Sequence, residues 1–318
     1  MFPIATRRTV AQAAIATLSL LAVPAFAAFD ANIEFDNTWL SSQKDSKGAD
    51  VAGRGLQQGG RVEFNALAKA GTNGFIAGKA SYLATRSGSA SVDDMWVQVG
   101  TSAADIKLGR FEAADLFPLP RDVIVSSVGS VYRTNTLRGR FGNSNDGVGI
   151  FHAAGTLNLG SGLSFELGVV ETDDKTTTKG VRPVLTYAAG PLTAKLGVEA
   201  IKYAGATTTS EQKSQTGMGV SLAYKAGDFT FIGNAASAKT AADAKQSTVG
   251  LVASADSGLT VGVISGKTGS IKTNIGYLAY SMPLFDIKGA SWTPAVSVAK
   301  TDGSDDDTGV KVRFNYAF

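Results

Sequence analysis

The sequence predicts an all-β fold: a transmembrane antiparallel β-barrel of sixteen strands with one long segment folded inward. Three observations predict it. Segments of roughly ten residues alternate apolar and polar side chains along 28–318, the period of strands with one greasy face and one polar face. The connections between these segments are short on one side and longer on the other. Between Gly109 and Gly147 the alternation stops, and a stretch rich in both charge and apolar residues replaces it.

Taken in order, the chain opens with Arg7 and Arg8 before an apolar run over 10–23, followed by Ala25-Phe26-Ala27. A basic start, an apolar middle and a small-x-small site predict a secretory signal peptide over 1–27, cut after Ala27. Gln12, Thr17 and Ser19 interrupt the run, which is short against the roughly 20 apolar residues of a spanning helix. Residues 28–318 then form one barrel domain. The chain holds 30 Lys and Arg, and removing Arg7 and Arg8 leaves 28 against 27 Asp and Glu. That near-neutral balance gives no case for nucleic acid. With no cysteine there is no disulfide, so stability rests on backbone pairing and packing. No long apolar run follows residue 27, which excludes a helical membrane protein.

Strands are expected to start near 30, 60, 74, 91, 104, 147, 162, 180, 192, 217, 228, 247, 258, 272, 290 and 308. The last is the clearest: Val310, Val312, Phe314 and Tyr316 alternate with Lys311, Arg313, Asn315 and Ala317. Val62 and Phe64 do so against Arg61 and Glu63, and Met218, Val220, Leu222 and Tyr224 against Gly219, Ser221 and Ala223. Alternation is weak in the segments at 104, 228, 247 and 258. Tyr82, Tyr187, Tyr224, Tyr277, Trp292 and Tyr316 fall near strand ends, where an interfacial aromatic girdle is expected.

The even-numbered connections are short (71–73, 100–103, 189–191, 226–228, 255–258), with somewhat longer ones near 157–161 and 283–289, and the odd-numbered ones are mostly longer (41–59, 172–179, 204–215, 238–247, 300–307). Short turns against long loops is the outer-membrane barrel arrangement, with the turns periplasmic. Closure removes edges that would be unpaired in lipid. A soluble sandwich needs neither the asymmetry nor a greasy face on nearly every strand.

The segment 110–146 carries Leu116, Phe117, Leu119, Val123 and Ile124, apolar anchors that predict a packed loop narrowing a channel. Its charges are Arg110, Glu112, Asp115, Arg121, Asp122, Arg133, Arg138 and Arg140, the last two read as tethers to the wall. Strand phase turns Arg61, Glu63, Lys69, Lys79, Asp94, Trp96 and Gln98 into the lumen. Lining charges set selectivity, and the slightly basic sum points to anions. No catalytic site, metal or cofactor is expected. The single histidine, His152, shares the phase of Val148 and Ile150, read as the outer face, and has neither a serine beside it nor a second His or Cys in the chain. Asp93-Asp94 and the run at 305–307 read as solvated charge.

The mature region resembles the general porins of Gram-negative outer membranes. The resemblance is carried by Phe318 on the alternating last strand, by Lys107-Leu108-Gly109-Arg110-Phe111 ending the fifth strand, and by the long loop between strands five and six. It implies a homotrimer in the outer membrane, in contact with membrane lipid and lipopolysaccharide, that passes small hydrophilic solutes and ions by passive diffusion. It implies Phe318 as the signal read by the barrel assembly machinery. It also implies a transverse field, with Glu112, Asp115 and Asp122 facing Arg61, Lys79 and Arg110. The second loop, 86–91, is shorter than in porins that clasp a neighbour with it. A sugar-selective porin, with Trp96, Phe111 and Phe117 as stacking surfaces, is the alternative. An outer-membrane enzyme or an adhesin or structural barrel is the reading from other classes, and the adhesin or structural barrel does not need an inward loop.

Overall fold

The computed structural model describes residues 26–41, 43, 53–71, 73–121, 130–141, 150–172, 178–203 and 213–318. The expected signal peptide up to residue 25, and Asp122, Val123 and Ile124 in the loop, lie outside the described residues.

The strands are β1 Phe26–Leu40, β2 Gly55–Ala70, β3 Phe75–Thr85, β4 Ala90–Gly100, β5 Ala104–Arg110, β6 Ile150–Gly160, β7 Leu163–Thr172 and β8 Thr178–Ala189. They continue as β9 Leu192–Tyr203, β10 Lys213–Ala226, β11 Phe229–Lys239, β12 Lys245–Ala255, β13 Leu259–Thr268 and β14 Ile271–Tyr280. Past Ser281, β14 resumes as Met282–Pro283 on the same partner, β15 Ala290–Thr301, with Ala279 opposite Ala295 and Met282 opposite Trp292. The last strand, β16, is Asp307–Ala317. Weak alternation did not cost the segments at 104, 228, 247 and 258 their strands, because each is held by two paired neighbours.

Every strand pairs antiparallel with the next, and β16 returns to β1 from Asn32↔Ala317 to Leu40↔Gly309. The sixteen strands therefore close into a barrel with no free edge. In hydrocarbon each unpaired backbone group costs several kcal/mol, so closure is a condition for spanning a bilayer. Beyond the last strand, Phe318 exchanges both backbone hydrogen bonds with Ala31, at 2.9 and 3.0 Å.

Pairing fixes which face each residue takes, because directly opposed residues share a face. On β10, Met218, Val220, Leu222 and Tyr224 are exposed on the outside, while Ser221 on the inside is 3 % exposed. The same outward row continues through Phe231, Leu251, Val263, Leu278, Val296, Val310 and Phe314. Tyr82, Tyr187, Tyr224 and Tyr316 stand in it as exposed aromatics.

Three expectations are corrected. Tyr277 is no girdle residue: it faces inward, is buried, and donates to the Pro120 carbonyl at 3.3 Å. His152 also faces inward, in phase with Ala154 opposite Lys107, while its neighbour Phe151 takes the outer face. The period of two was right there and its sign was wrong, since Phe151, Leu157 and Leu159, not Ile150, are the exposed large apolar residues of that strand. The long polar loop expected over 238–247 shrinks to 240–244, because Thr240 Oγ1 accepts from the Ala242 and Ala244 amides and closes a tight turn.

Candidate functional site

The loop begins where β5 stops, after only seven residues. Gly109 lies opposite Trp96 at φ 116°, and a Cβ there would collide with the Met95 carbonyl. Only glycine takes that conformation freely, and the chain turns from the wall. Arg110 donates from Nε to the Val92 carbonyl at 3.2 Å and from Nη1 to the Arg140 carbonyl at 2.6 Å. It thereby ties the two ends of the loop together. Its register, opposite Met95, puts it on the outward phase rather than among the lumen cations.

The described parts of the loop lie on the inner wall. Phe111, Leu116, Phe117 and Leu137 are each 2 % exposed or less. Beneath them the wall is cut down to glycine. A Cβ on Gly217 would collide with the Tyr132 hydroxyl, and one on Gly219 with Thr134 Oγ1. Gly180 and Gly250 likewise lie under Leu137 and Phe117.

Hydrogen bonds follow the same course around the barrel. Glu166 on β7 accepts from the Ala114 amide at 3.0 Å, and Lys195 on β9 donates to the Asp115 carbonyl at 3.2 Å. Asn234 on β11 donates to the Pro118 carbonyl at 2.9 Å. Arg121 reaches Ser254 Oγ on β12 at 2.7 Å and Thr260 Oγ1 on β13 at 2.9 Å. The second half of the loop centres on Glu199, which is 1 % exposed and accepts from the Tyr132 hydroxyl at 2.7 Å and the Leu137 amide at 3.0 Å. Arg182, equally buried, brings Nε to 4.0 Å from that carboxylate and donates from Nη2 to the Thr134 carbonyl at 3.2 Å. Burial, then the Glu199 charge, push the Tyr132 phenol well above its ordinary pKa, so it remains a donor.

Charges on the rest of the lumen form a ladder. Asp36 on β1 pairs with Arg313 at 2.8 Å and Lys311 at 3.4 Å on β16. Glu34 pairs with Arg61 on β2 at 2.8 Å, and Glu63 lies 4.0 Å from both Arg61 and Lys79. Lys79 on β3 reaches Asp94 on β4 at 2.7 Å, and Asp94 passes the contact to Arg140 of the loop, also at 2.7 Å. Arg140 bonds Asp93 at 3.3 Å and Glu112 at 2.9 Å, and Arg138 joins Glu112 at 2.9 Å to Asp115 at 3.5 Å. Burial alone would lower the Arg140 pKa, but the bond to Asp94 and the charges of Glu112, Asp94 and Asp93 raise it, so its cation is secure.

This differs from the expected arrangement in one respect. Glu112 and Asp115 are engaged by arginines of their own loop, and the ion pairs that join this ladder to the loop are those of Arg140 with Asp93 and Asp94. Asp94 is 6 % exposed, not solvated charge at a strand end. The aromatics are also committed. Phe111 stacks on His152 with ring centroids 4.0 Å apart, and Phe141 meets that ring edge-on at 5.3 Å. The Lys107 ammonium lies 4.6 Å from the centre of the Trp96 ring, and Phe117 is buried under the loop. Glu166, Arg182, Lys195 and Glu199 were not singled out from the sequence. Their signal was present as charge in the inward phase of β7, β8 and β9, but nothing local says that loop residues 48 to 80 positions away cover them.

No protein-family model matches the sequence, and no curated protein matches it. Among solved structures, an anion-selective porin from Comamonas acidovorans is similar over 92% of this chain and 100% of its own, at a TM-score of 0.68 and 15% identity. OmpT, an outer membrane protein of Vibrio cholerae solved in a trimer form, is similar over 92% of this chain and 99% of its own, at 0.64 and 13% identity. The outer membrane channel DcaP of Acinetobacter baumannii is similar over 92% and 97%, at 0.64 and 11% identity. With the ring of sixteen strands closed and almost the whole of each of these structures matched, the chain has the fold of the outer-membrane porins.

Proposed function

We propose that this chain is a channel of the Gram-negative outer membrane through which small hydrophilic solutes and ions diffuse passively. Its narrowest section is set by the loop over 110–146, and it performs no chemistry on what it passes. The observation that carries this reading is the inward course of the loop, bonded to inner-wall side chains from β4 to β13 inside a barrel whose outer face is apolar. A closed barrel of about sixteen strands leaves an aqueous interior, and a loop lying across it narrows the path. The homotrimer belongs to the same proposal and is supported by the fold shared with OmpT in its trimer form.

The ladder supports weak ion selectivity instead of the anion preference that the slightly basic sum suggested. Its acids (Asp36, Glu34, Glu63, Asp94, Asp93, Glu112, Asp115) and bases (Lys311, Arg313, Arg61, Lys79, Arg140, Arg138) nearly cancel and are mutually paired. The test is single-channel recording of purified protein in planar bilayers, with reversal potentials under a salt gradient. Discrete conductance steps with a reversal potential near zero are expected. A protein that inserts as a barrel and passes no current would overturn the channel.

A further inference from the structure

We propose that the lumen carries, at its turn-side mouth, a binding subsite for small zwitterionic solutes of the amino-acid type. Arg121 takes the carboxylate and Asp286 takes the ammonium. The proposal deepens the channel reading above and rests on it, since it names a class of solute and the place where that solute pauses beside the loop.

Position is the first ground. Arg121 follows Pro120, whose carbonyl accepts from Tyr277 on β14, so the loop has already crossed to that wall when it reaches this residue. Its next contacts, Ser254 and Thr260, lie directly opposite each other at the ends of β12 and β13 that the short turn joins. Arg121 therefore stands at the turn end of the lumen. It borders a pocket of about 660 Å³ whose other wall is the connection from Ser281 to Gly289, and Asp286 lines that wall.

Partners are the second ground. Three oxygens hold the half-buried Arg121, and all of them act on Nη1: Ser254 Oγ at 2.7 Å, Thr260 Oγ1 at 2.9 Å and the Ala255 carbonyl at 3.5 Å. The edge formed by Nε and Nη2 has no partner among the described residues. Such an edge is a fork that receives a carboxylate through two parallel hydrogen bonds. Asp286 has no ion pair among the described residues, whereas Asp256 on the same rim is taken by Lys225. Lys288, the other cation of the lining, has none either. A ligand with a carboxylate alone would face the Asp286 charge unanswered. One that adds an ammonium answers both signs.

Backbone is the third ground. Arg121 is at φ 52° and Asp286 at φ 56°, with Phe285 beside it at 52°. Residues other than glycine rarely take this left-handed conformation, and those that keep it cluster at ligand clamps. Here two of opposite charge border one pocket.

The test uses the full-length protein in detergent and saturation-transfer NMR titrations with three probes: free alanine, propionate, which lacks the ammonium, and ethylamine, which lacks the carboxylate. Alanine should bind about tenfold more tightly than either of the others. Asp286→Asn, which a left-handed backbone accepts, should lower alanine to the level of propionate and should not weaken propionate. Arg121→Lys keeps a donor for Ser254 and Thr260 but loses the fork, so it should weaken alanine and propionate together. If Arg121→Lys yields no barrel, Asp286→Asn decides alone. Equal binding of alanine and propionate overturns the subsite, as does no binding of alanine, or unchanged alanine affinity in Asp286→Asn. Single-channel recording of the unaltered chain separates this failure from that of the channel. Steps without a preference for alanine sink the subsite alone, whereas absence of steps sinks the channel reading.

Discussion

At the scale of single residues, the loop is held by a few buried groups. Glu199 accepts two hydrogen bonds from the loop and is the carboxylate nearest the buried Arg182 guanidinium. Replacing it by Gln keeps an acceptor for Tyr132 but leaves Arg182 without its counter-charge. Breaking a buried pair in this way costs about 3–5 kcal/mol. We expect Glu199→Gln to lower the temperature at which the detergent-resistant barrel unfolds and to add flicker to the open channel. A thermal midpoint equal to that of the unaltered protein would remove the latch. Tyr132→Phe strands the carboxylate less severely, by about 1–3 kcal/mol. Gly217→Val tests space instead of charge: its Cβ has no room under the Tyr132 hydroxyl, so the loop must move off the wall. The flicker it adds should match that of Glu199→Gln if both act through the same contact.

At the scale of the loop as an element, position and charge make separate predictions. Deleting residues 115–126 removes Leu116, Phe117 and Arg121, which anchor its first half to the wall. Because the narrowest section dominates the resistance of a channel, conductance should rise. A deletion that leaves conductance unchanged would place the constriction elsewhere. Replacing Glu112 and Asp115 by Gln and Asn should leave conductance similar, and it takes from Arg138 both of its carboxylates and from Arg140 one of three. The reversal potential should then move toward anion preference, since charges lining a narrow pore act on a permeant ion with little intervening water. Neutralising Arg138 alone should move it the opposite way. Shifts of one sign from both variants would mean that the ladder does not set selectivity.

At the scale of the whole molecule, stability and insertion depend on closure. The seam is β1 on β16, extended by the pair of backbone hydrogen bonds between Phe318 and Ala31. Phe318 also stacks on Tyr316, with ring centroids 5.2 Å apart. Deleting Phe318 removes both at the point where the ring is completed. The expected outcome is a lower yield of heat-modifiable barrel in the outer membrane, with the alternation of β16 untouched. An unchanged yield would show that the last residue is dispensable for assembly.

What the sequence by itself determined is local and periodic. Strand number, strand positions and most faces follow from a period of two, which is a property of the extended backbone and needs no partner. The loop announced itself as the one stretch where that period fails. Beside His152, reading the phase from Val148 and Ile150 takes the wrong side, because Phe151, Leu157 and Leu159 of that strand stand on the outer face. What only the tertiary structure decided is which groups meet across the lumen. Tyr277 meets Pro120 across 157 residues of chain, and Tyr132 meets Glu199 across 67. Arg140 finds Asp94 because the pairing of β5 with both β4 and β6 brings β4 beside the end of the loop. The glycines under the loop read from sequence as ordinary strand residues with little to pack, and their meaning appears only when another segment occupies the space they leave. Period is written in neighbours along the chain, whereas contact across a barrel depends on closing every strand between them.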